Sequence, residues 1–323
     1  MTLTETRTWD YEAVEVGQRA QPIVKEATPD SIVRHASTSR STNPDHFSDA
    51  PPFAMPTQIL SLAPKNRAGV AENNGMTVIT AHATPFAKAE GRWFAPIRLG
   101  DTVTSVATVL EKYERRGNKF VTLRLEAHND GGEKLAEIDH TSIFEFRKSD
   151  QPRPASRAAP RRPAPDFEPS PLRETSPDDA VKAVTFETIE VGDAVHPFTI
   201  HSPLKTEVDG VAVPEDKMSA QSSESNHEPG RFPWGRMHGV GGITIIGYLD
   251  AMLHRWAPDG TLYGGGRLLF KAIKNFRPGD TNTYRGTVTA KREHDGKHLV
   301  DIEITGVNQL GQLTGVAEAT LVF

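Results

Sequence analysis

The sequence predicts an α+β protein made of two tandem copies of one domain, each an antiparallel sheet wrapped round a central helix. The first observation is a repeated phrase, since "YEAVEVGQRAQPI" at 11–23 returns as "FETIEVGDAVHPF" at 186–198. The second is a constant spacing: Gly100 and Gly279 lie 179 residues apart, and this offset persists to the end of both copies. The third is that each copy combines three strand-like segments with one apolar segment.

The duplication divides the 323 residues into an N-terminal domain at 1–147 and a C-terminal domain at 181–323. Between them, residues 148–180 are rich in Pro, Ala, Arg and Ser, a composition that buries little surface and favours extended chain. We therefore expect a linker there. A chain of this length can bury a separate core in each of two domains.

Three strands are predicted at the end of each copy. In copy one, "DTVTSVATVLEKYE" and "KFVTLRLEAHN" flank the turn-forming "RRGN", and "NDGGEKL" then leads into "AEIDHTSIFEF". The same pattern returns in copy two with its own turn residues. An antiparallel meander of this kind must cover its apolar face, so each copy needs an apolar element that packs on the sheet.

That apolar element is predicted to be a helix in copy two. Within "GGITIIGYLDAMLHRW", the residues at helical spacing are apolar, namely Ile243, Ile246, Leu249 and Leu253, with Ile245 and Met252 beside them. The following "APDG" ends the helix. The counterpart in copy one, around "TQILSLAP", is shorter and is interrupted by prolines, so the intact central helix is expected in copy two.

Composition excludes several functions. The chain has no cysteine, which rules out disulfides, thiolate metal sites and cysteine nucleophiles and fits a reducing cytoplasm. We expect neither a membrane span nor a signal peptide, because no long apolar run is present. The formal net charge of −5 argues against nucleic-acid binding. No metal site and no cofactor are predicted, since "GVGG" does not follow a strand at nucleotide-fold spacing and no His and carboxylate spacing is typical of a metal site.

Several motifs together resemble one known family. They are the "EVG" opening of each copy, the loop "STNPDH", the "HG" in "RMHGVGG" and the strand pair in "GGGRLLFKAIKNFRPGDT". They resemble the MaoC-like dehydratase and (R)-specific enoyl-CoA hydratase family over nearly all of both copies, and copy one resembles the acyl dehydratase variant of fungal fatty acid synthases. The resemblance implies a hot-dog fold in each copy, and a lyase of lipid metabolism that hydrates 2-enoyl-CoA or dehydrates 3-hydroxyacyl-CoA.

Members of that family carry Asp-x-Asn-Pro-x-His before the central helix, because a carboxylate and an imidazole must together handle the protons of the added water. In copy one the loop matches at Asn43, Pro44 and His46, whereas Ser41 stands at the carboxylate position. Asp45 adjoins the histidine as a substitute carboxylate. The alternative interpretation is that His46 makes a local contact in a turn formed by its Asn, Pro and Asp neighbours.

In copy two the matching segment is "SESNHEP" at 223–229. Placing Asn226 on the motif asparagine puts Glu224 at the carboxylate position, but Pro229 then occupies the histidine position and His227 lies two residues early. Neither copy therefore has the complete pair. A solvated polar loop is the alternative interpretation of this segment.

The resemblance places the active site in copy two and makes copy one a degenerate half that supports the fold and widens the acyl pocket. Glu224 and His227 would handle the protons, with Asn226 in the substrate loop. The backbone amide at Gly239, after His238 at the start of the central helix, would polarise the thioester carbonyl. In copy one, His46 and Asp45 are the corresponding candidates and Asn43 the substrate-loop residue.

Two alternatives stay open. The incomplete pairs also fit a non-catalytic acyl-CoA-binding protein, or a subunit that completes its site with a partner chain. A hot-dog thioesterase, which uses a carboxylate and water, is the other. In each case the expected ligand is an acyl-CoA thioester, and association of the fused chain into a homodimer is compatible with closed symmetry.

Overall fold

The computed structural model describes residues 7–78, 84–146, 167–176, 184–202, 241–277 and 279–323. Copy one contains, in chain order, β1 (Arg7–Thr8), β2 (Ile23–Glu26), α1 (Pro29–Thr38), α2 (Ile59–Leu62), α3 (Arg67–Asn73), β3 (Met76–Thr77), β4 (Phe86–Trp93), β5 (Thr102–Arg115), β6 (Asn118–His128) and β7 (Lys134–Glu145). Copy two contains β8 (Ala194–His201), α4 (Gly242–Trp256), β9 (Gly266–Ala272), β10 (Thr281–His294), β11 (Lys297–Asn308) and β12 (Leu313–Val322).

One antiparallel sheet runs through both copies. Its strand order is β2-β5-β6-β7-β4-β9-β12-β11-β10-β8, so the two copies meet where β4 pairs with β9. Arg267 of β9 reinforces this joint, because its Nε lies 2.6 Å from Oε1 of Glu90 and its Nη1 lies 3.1 Å from Oε2 of Glu318. The predicted α+β fold class with two tandem domains is confirmed, and the two sheets are joined edge to edge.

The duplication extends to the backbone turns. Both bounds of β10 lie 179 residues after those of β5. Gly100 and Gly279 precede these strands with φ of 85° and 84°, and the earlier pair Gly17 and Gly192 has φ of 92° and 100°. Only glycine adopts this left-handed region without strain. The repeated glycines are therefore the sequence record of a repeated turn.

Burial alternates along the strands as the sequence pattern predicts. In β5, Val103, Ser105, Ala107 and Val109 are buried, while the residues that alternate with them are partly exposed. One face of the sheet thus packs on the core, and successive side chains point to opposite faces.

Helix α4 is the long central helix of the molecule. Ile246, Leu249 and Leu253 on it are buried, as its helical spacing predicts. The counterpart in copy one is a 3-10 turn at Pro56–Gln58 followed by the four-residue α2. Proline is tolerated at the start of such a turn but breaks a helix interior, which explains the interruption. Over the described ranges, no helix has both the length and the apolar character needed to cross a bilayer.

The start of α4 packs closely against copy one. A Cβ placed on Gly242 would lie 2.2 Å from Cδ1 of Phe86, on β4, whereas a Cβ on Gly241 would meet nothing nearer than the Thr244 hydroxyl at 3.9 Å. Further along α4, a Cβ on Gly247 would lie 2.3 Å from the Ser39 hydroxyl of copy one. Glycine at 242 and 247 therefore allows α4 to lie against both copies.

We predict that G242A destabilises the protein by roughly 1–3 kcal/mol, because the added methyl group has to displace the partly buried ring of Phe86. The matched control is G241A, one residue earlier, where the methyl group has room. Urea unfolding followed by circular dichroism measures both free energies of unfolding. Equal effects of the two substitutions would contradict the close packing of α4 on Phe86.

Candidate active site

The motif loop of copy one lies at the border between the copies. Helix α1 leads into it, and a 3-10 turn at Pro44–Phe47 follows. Asn43 caps this turn, since its Oδ1 accepts a hydrogen bond from the backbone N–H of Asp45 at 2.9 Å. Its Nδ2 donates to Oδ2 of Asp259 in copy two at 2.5 Å. The side chain of the predicted substrate-loop residue thus anchors the loop to copy two.

His46 is almost sealed from solvent, with 1% of its surface exposed. Its Nδ1 lies 2.8 Å from the hydroxyl oxygen of Ser41, and that oxygen also accepts from the backbone N–H of Asn43 at 3.2 Å. The edge of the Phe53 ring packs against it, with the centroids 5.9 Å apart. Burial lowers the pKa of His46, and the nearby charge of His254 lowers it further. His46 is therefore a neutral, enclosed imidazole at neutral pH.

Asp45 is placed differently from its neighbour. Its side chain is exposed, and among the described residues its carboxylate makes no ion pair with His46. The structure therefore does not bring the two copy-one candidates together as a carboxylate and imidazole pair.

The candidates of copy two, Glu224, Asn226, His227, His238 and Gly239, lie outside the described residues. The described part of copy two resumes at Gly241, which caps α4. No side chain within the described ranges accepts from the backbone amides of the first turn of α4. Backbone amides at a helix start attract negative charge on a ligand.

A buried ion pair lies further along α4. Asp250 has no exposed surface, and its Oδ1 is 2.7 Å from Nδ1 of His254, one helical turn later. Its Oδ2 accepts from the backbone N–H of Thr57 at 3.0 Å and from the Thr57 hydroxyl at 2.6 Å. Thr57 belongs to copy one, so the carboxylate joins the two copies.

The two members of the pair hold each other in their charged forms. Burial opposes ionisation of Asp250, but His254 and the two Thr57 hydrogen bonds outweigh it, so the pKa of Asp250 lies below its usual range. Burial likewise opposes protonation of His254, and the charge of Asp250 outweighs it, so the pKa of His254 is raised. The result is a carboxylate and an imidazolium inside the protein.

The hydroxyl of Thr57 continues this network to His35 on α1. Its Oγ1 lies 3.0 Å from Nε2 of His35, and the Ser39 hydroxyl lies 3.3 Å from the same nitrogen. The Ser61 hydroxyl is 3.3 Å from the other ring nitrogen, Nδ1. Burial lowers the pKa of His35 to about 4. His35 is therefore neutral across the physiological pH range.

A cavity of about 480 Å³ lies beside this network. Copy one contributes His35 from α1, Ser39 directly after it, Gln58, and Ser61 from α2. Copy two contributes Ile243 and Thr244 from the first turn of α4. Hydroxyl, amide and imidazole groups thus face a helix start across one space. Convergent polar groups in a pocket are typical of a small-molecule site.

The site residues predicted from the sequence do not include His35, Thr57, Asp250 or His254. One signal for two of them was present, because Asp250 and His254 lie four residues apart in a helix whose other residues are mostly apolar. That spacing places both ionisable groups on one face. His35 and Thr57 carried no such signal, since their roles depend on contacts between the two copies.

Comparison with known proteins identifies the fold. No family model and no curated protein matches the chain. Among solved structures, a MaoC-like dehydratase matches with a TM-score of 0.63 and 12% identity over 97% of this chain and 99% of its own. A putative MaoC domain protein dehydratase from Chloroflexus aurantiacus matches with 0.60 and 14% identity over 100% and 99%.

A third match is a conserved hypothetical protein from Mycobacterium tuberculosis that has a double hotdog fold. Its TM-score is 0.58, with 11% identity over 98% of each chain. Identities this low establish the architecture and nothing finer. The chain therefore has the double hot-dog fold along its whole length.

We predict that D250A lowers the free energy of unfolding by roughly 3–5 kcal/mol, because it leaves a buried imidazole and the Thr57 donors without their partner. The control is D259A, which removes an exposed carboxylate of copy two that also accepts a hydrogen bond from copy one, at Asn43. Urea titration at pH 7 measures both. A loss from D250A no larger than that from D259A would show that the buried pair does not stabilise the native state.

We also predict that stability falls as the pH is lowered from about 6.5 to about 4. Burial lowers the pKa of His35 to about 4 and that of His140 to about 3, and it also lowers that of His46. The unfolded chain therefore binds more protons than the folded chain throughout this interval. The stabilisation from His254, whose pKa is raised, is complete below about 6.5, and that from Asp250 is complete above about 3.9. Neither opposes the trend.

Urea unfolding across pH 4.5 to 7.5 measures this slope. H140Q should flatten it, because the most strongly shifted imidazole is removed, whereas H294Q, at an exposed hairpin of copy two, should leave it unchanged. A slope of the opposite sign in the unsubstituted protein would contradict the neutral state of these buried imidazoles.

Proposed function

We propose that the protein is a hydro-lyase that acts on an acyl thioester, hydrating a 2-enoyl-CoA and dehydrating a 3-hydroxyacyl-CoA. The observation that carries this proposal is the cavity between the copies, where the first turn of α4 and polar side chains of copy one line the same space. Dehydration builds negative charge on the thioester oxygen, and helix-start amides stabilise such charge. The whole-chain likeness to MaoC-like dehydratases supports the same reaction class.

The chemistry would belong to the loop that precedes α4 in copy two. In copy one His46 is enclosed and contacts Ser41, and Asp45 is exposed, so these two motif residues do not form an open carboxylate and imidazole pair. Copy two has Glu224 and His227 at the matching place in its sequence. This contrast favours a division in which domain 181–323 is catalytic and domain 1–147 supports it.

The proposed reaction needs two proton-handling groups, one base and one acid. In the dehydration direction a base removes a proton from C2, the electron pair moves toward the thioester carbonyl, and the C3 hydroxyl leaves as water after an acid protonates it. Glu224 and His227 would share these two roles, with the backbone amide at Gly239 facing the carbonyl oxygen. No cofactor is required.

We predict turnover of enoyl-CoA thioesters, measured as loss of the conjugated thioester absorbance with formation of a 3-hydroxyacyl product. E224Q and H227Q should each lower kcat/KM by about 10²–10⁴-fold while the thioester still binds, as expected for lost general acid or base catalysis. The matched control is E228Q, a neighbouring carboxamide substitution in the same loop, which should change kcat/KM little.

Three outcomes would overturn this proposal. Binding of CoA esters without turnover would make the protein an acyl-CoA-binding protein, an alternative that the incomplete motifs also favour. Release of free CoA thiol would make it a thioesterase. Equal losses in E224Q and E228Q would move the proton-handling groups elsewhere.

A further inference from the structure

We propose that Nδ1 of His35 binds the C3 hydroxyl group of a 3-hydroxyacyl thioester. In the hydration direction the same nitrogen would bind the water that is added. Asp250 would hold the ring in the required tautomer through Thr57. The identity of the ligand rests on the proposed function above, whereas the tautomer follows from the hydrogen bonds alone. His35 belongs to copy one and lies outside the motif loops of both copies.

Asp250 acts only as a hydrogen-bond acceptor. An ionised carboxylate only accepts hydrogen bonds, and the ion pair with His254 keeps Asp250 ionised. The Thr57 hydroxyl has a single hydrogen, and the 2.6 Å contact to Oδ2 of Asp250 uses it. The Thr57 oxygen can therefore only accept from His35.

The contact with Thr57 determines the tautomer of His35. Its Nε2 lies 3.0 Å from that Thr57 oxygen, so Nε2 carries the hydrogen. A neutral imidazole then has a lone pair on Nδ1. The Ser61 hydroxyl, 3.3 Å from Nδ1, lies beyond the usual range for a strong hydrogen bond. Nδ1 is thus an acceptor without a strong partner among the described residues.

His35 is also placed to meet a ligand in the cavity. It is half-buried and lines the cavity, together with Ser61 and the start of α4 at Ile243 and Thr244. His46, the motif histidine of copy one, does not line the cavity, and Ser41 already occupies its Nδ1. Among the described residues, His35 is therefore the imidazole that a ligand in this cavity meets.

The charges around His35 keep it in the acceptor form. Burial and His46 in the 3-10 turn disfavour protonation of the ring, and these effects exceed the attraction of Asp250 on α4. Lys25 and Glu26 from β2 and Arg34 from α1 also border the cavity. A neutral acceptor suits a neutral hydroxyl group. An acyl chain that lacks the hydroxyl leaves Nδ1 with only its 3.3 Å contact to Ser61, and sites built to bind a hydroxyl penalise such a loss.

The tautomer is tested first, by nitrogen-15 NMR of the histidine side chains at pH 7, with H35Q used to assign the His35 signals. The expected result is a hydrogen on Nε2 and none on Nδ1, and Nδ1 should gain its hydrogen only as the pH falls to about 4. T57V removes the hydroxyl and should give a mixture of tautomers, whereas T57S keeps the hydroxyl and should retain one. A hydrogen on Nδ1 in the unsubstituted protein overturns the proposal, whatever reaction the protein performs.

Recognition of the hydroxyl is tested by calorimetry with 3-hydroxybutyryl-CoA and butyryl-CoA. The unsubstituted protein should bind the hydroxy ester about 10-fold more tightly, which corresponds to about 1.4 kcal/mol and one hydrogen bond. H35L should abolish this preference while its Kd for butyryl-CoA changes less than about 3-fold. H294L, at the exposed hairpin, is the control and should keep the preference.

The outcomes separate this proposal from the one it rests on. Turnover of enoyl-CoA with an unchanged preference in H35L overturns the role of His35 and leaves the hydro-lyase intact. No binding of either ester overturns both the hydro-lyase and the ligand half of this proposal. If H35L fails to fold by circular dichroism, T57V replaces it, and an unchanged preference in a folded T57V with mixed tautomers overturns the proposed role of the tautomer.

Discussion

The buried carboxylate of Asp250 is the constraint on which the contact between the two copies depends. A charge without solvent needs several partners, and α4 supplies only His254. The others come from Thr57, which follows the proline that begins the 3-10 turn of copy one. Backbone amides in the first turn of a helix have no acceptor within that helix. The proline break in copy one is therefore what makes the Thr57 N–H available to copy two.

This dependence explains why the two copies differ while their sheets match. Strands β5 and β10 have equivalent bounds in the two copies and follow equivalent glycine turns, because each must pack its sheet in the same way. The central segments diverged: copy two has the intact α4, and copy one has a broken segment that packs against it. Fusion of the copies makes their pairing intramolecular. One copy is then free to lose its own helix and to serve the other.

The sheet and the duplication could be predicted from the sequence because they depend on local signals, such as Gly100 before β5 and the alternation of Val103, Ala107 and Val109. The intact α4 could likewise be predicted from the spacing of its apolar residues, and the interruption of its counterpart from Pro56. The enclosure of His46 was not, because it depends on Ser41 and on Phe53 as they fold round the ring. The network through Thr57 joins residues 193 positions apart, a contact that no local pattern indicates.

The cavity has the same two-copy character as the ion pair. Polar side chains of α1 and α2 line one side of it, and the first turn of α4 lines another. Gly247 brings α4 against Ser39 at the end of α1, and Asp250, one turn later, reaches Thr57. The distance across the cavity is therefore controlled by the same contacts that bury the carboxylate. Residues of both copies line this space, so the candidate site needs the fused pair.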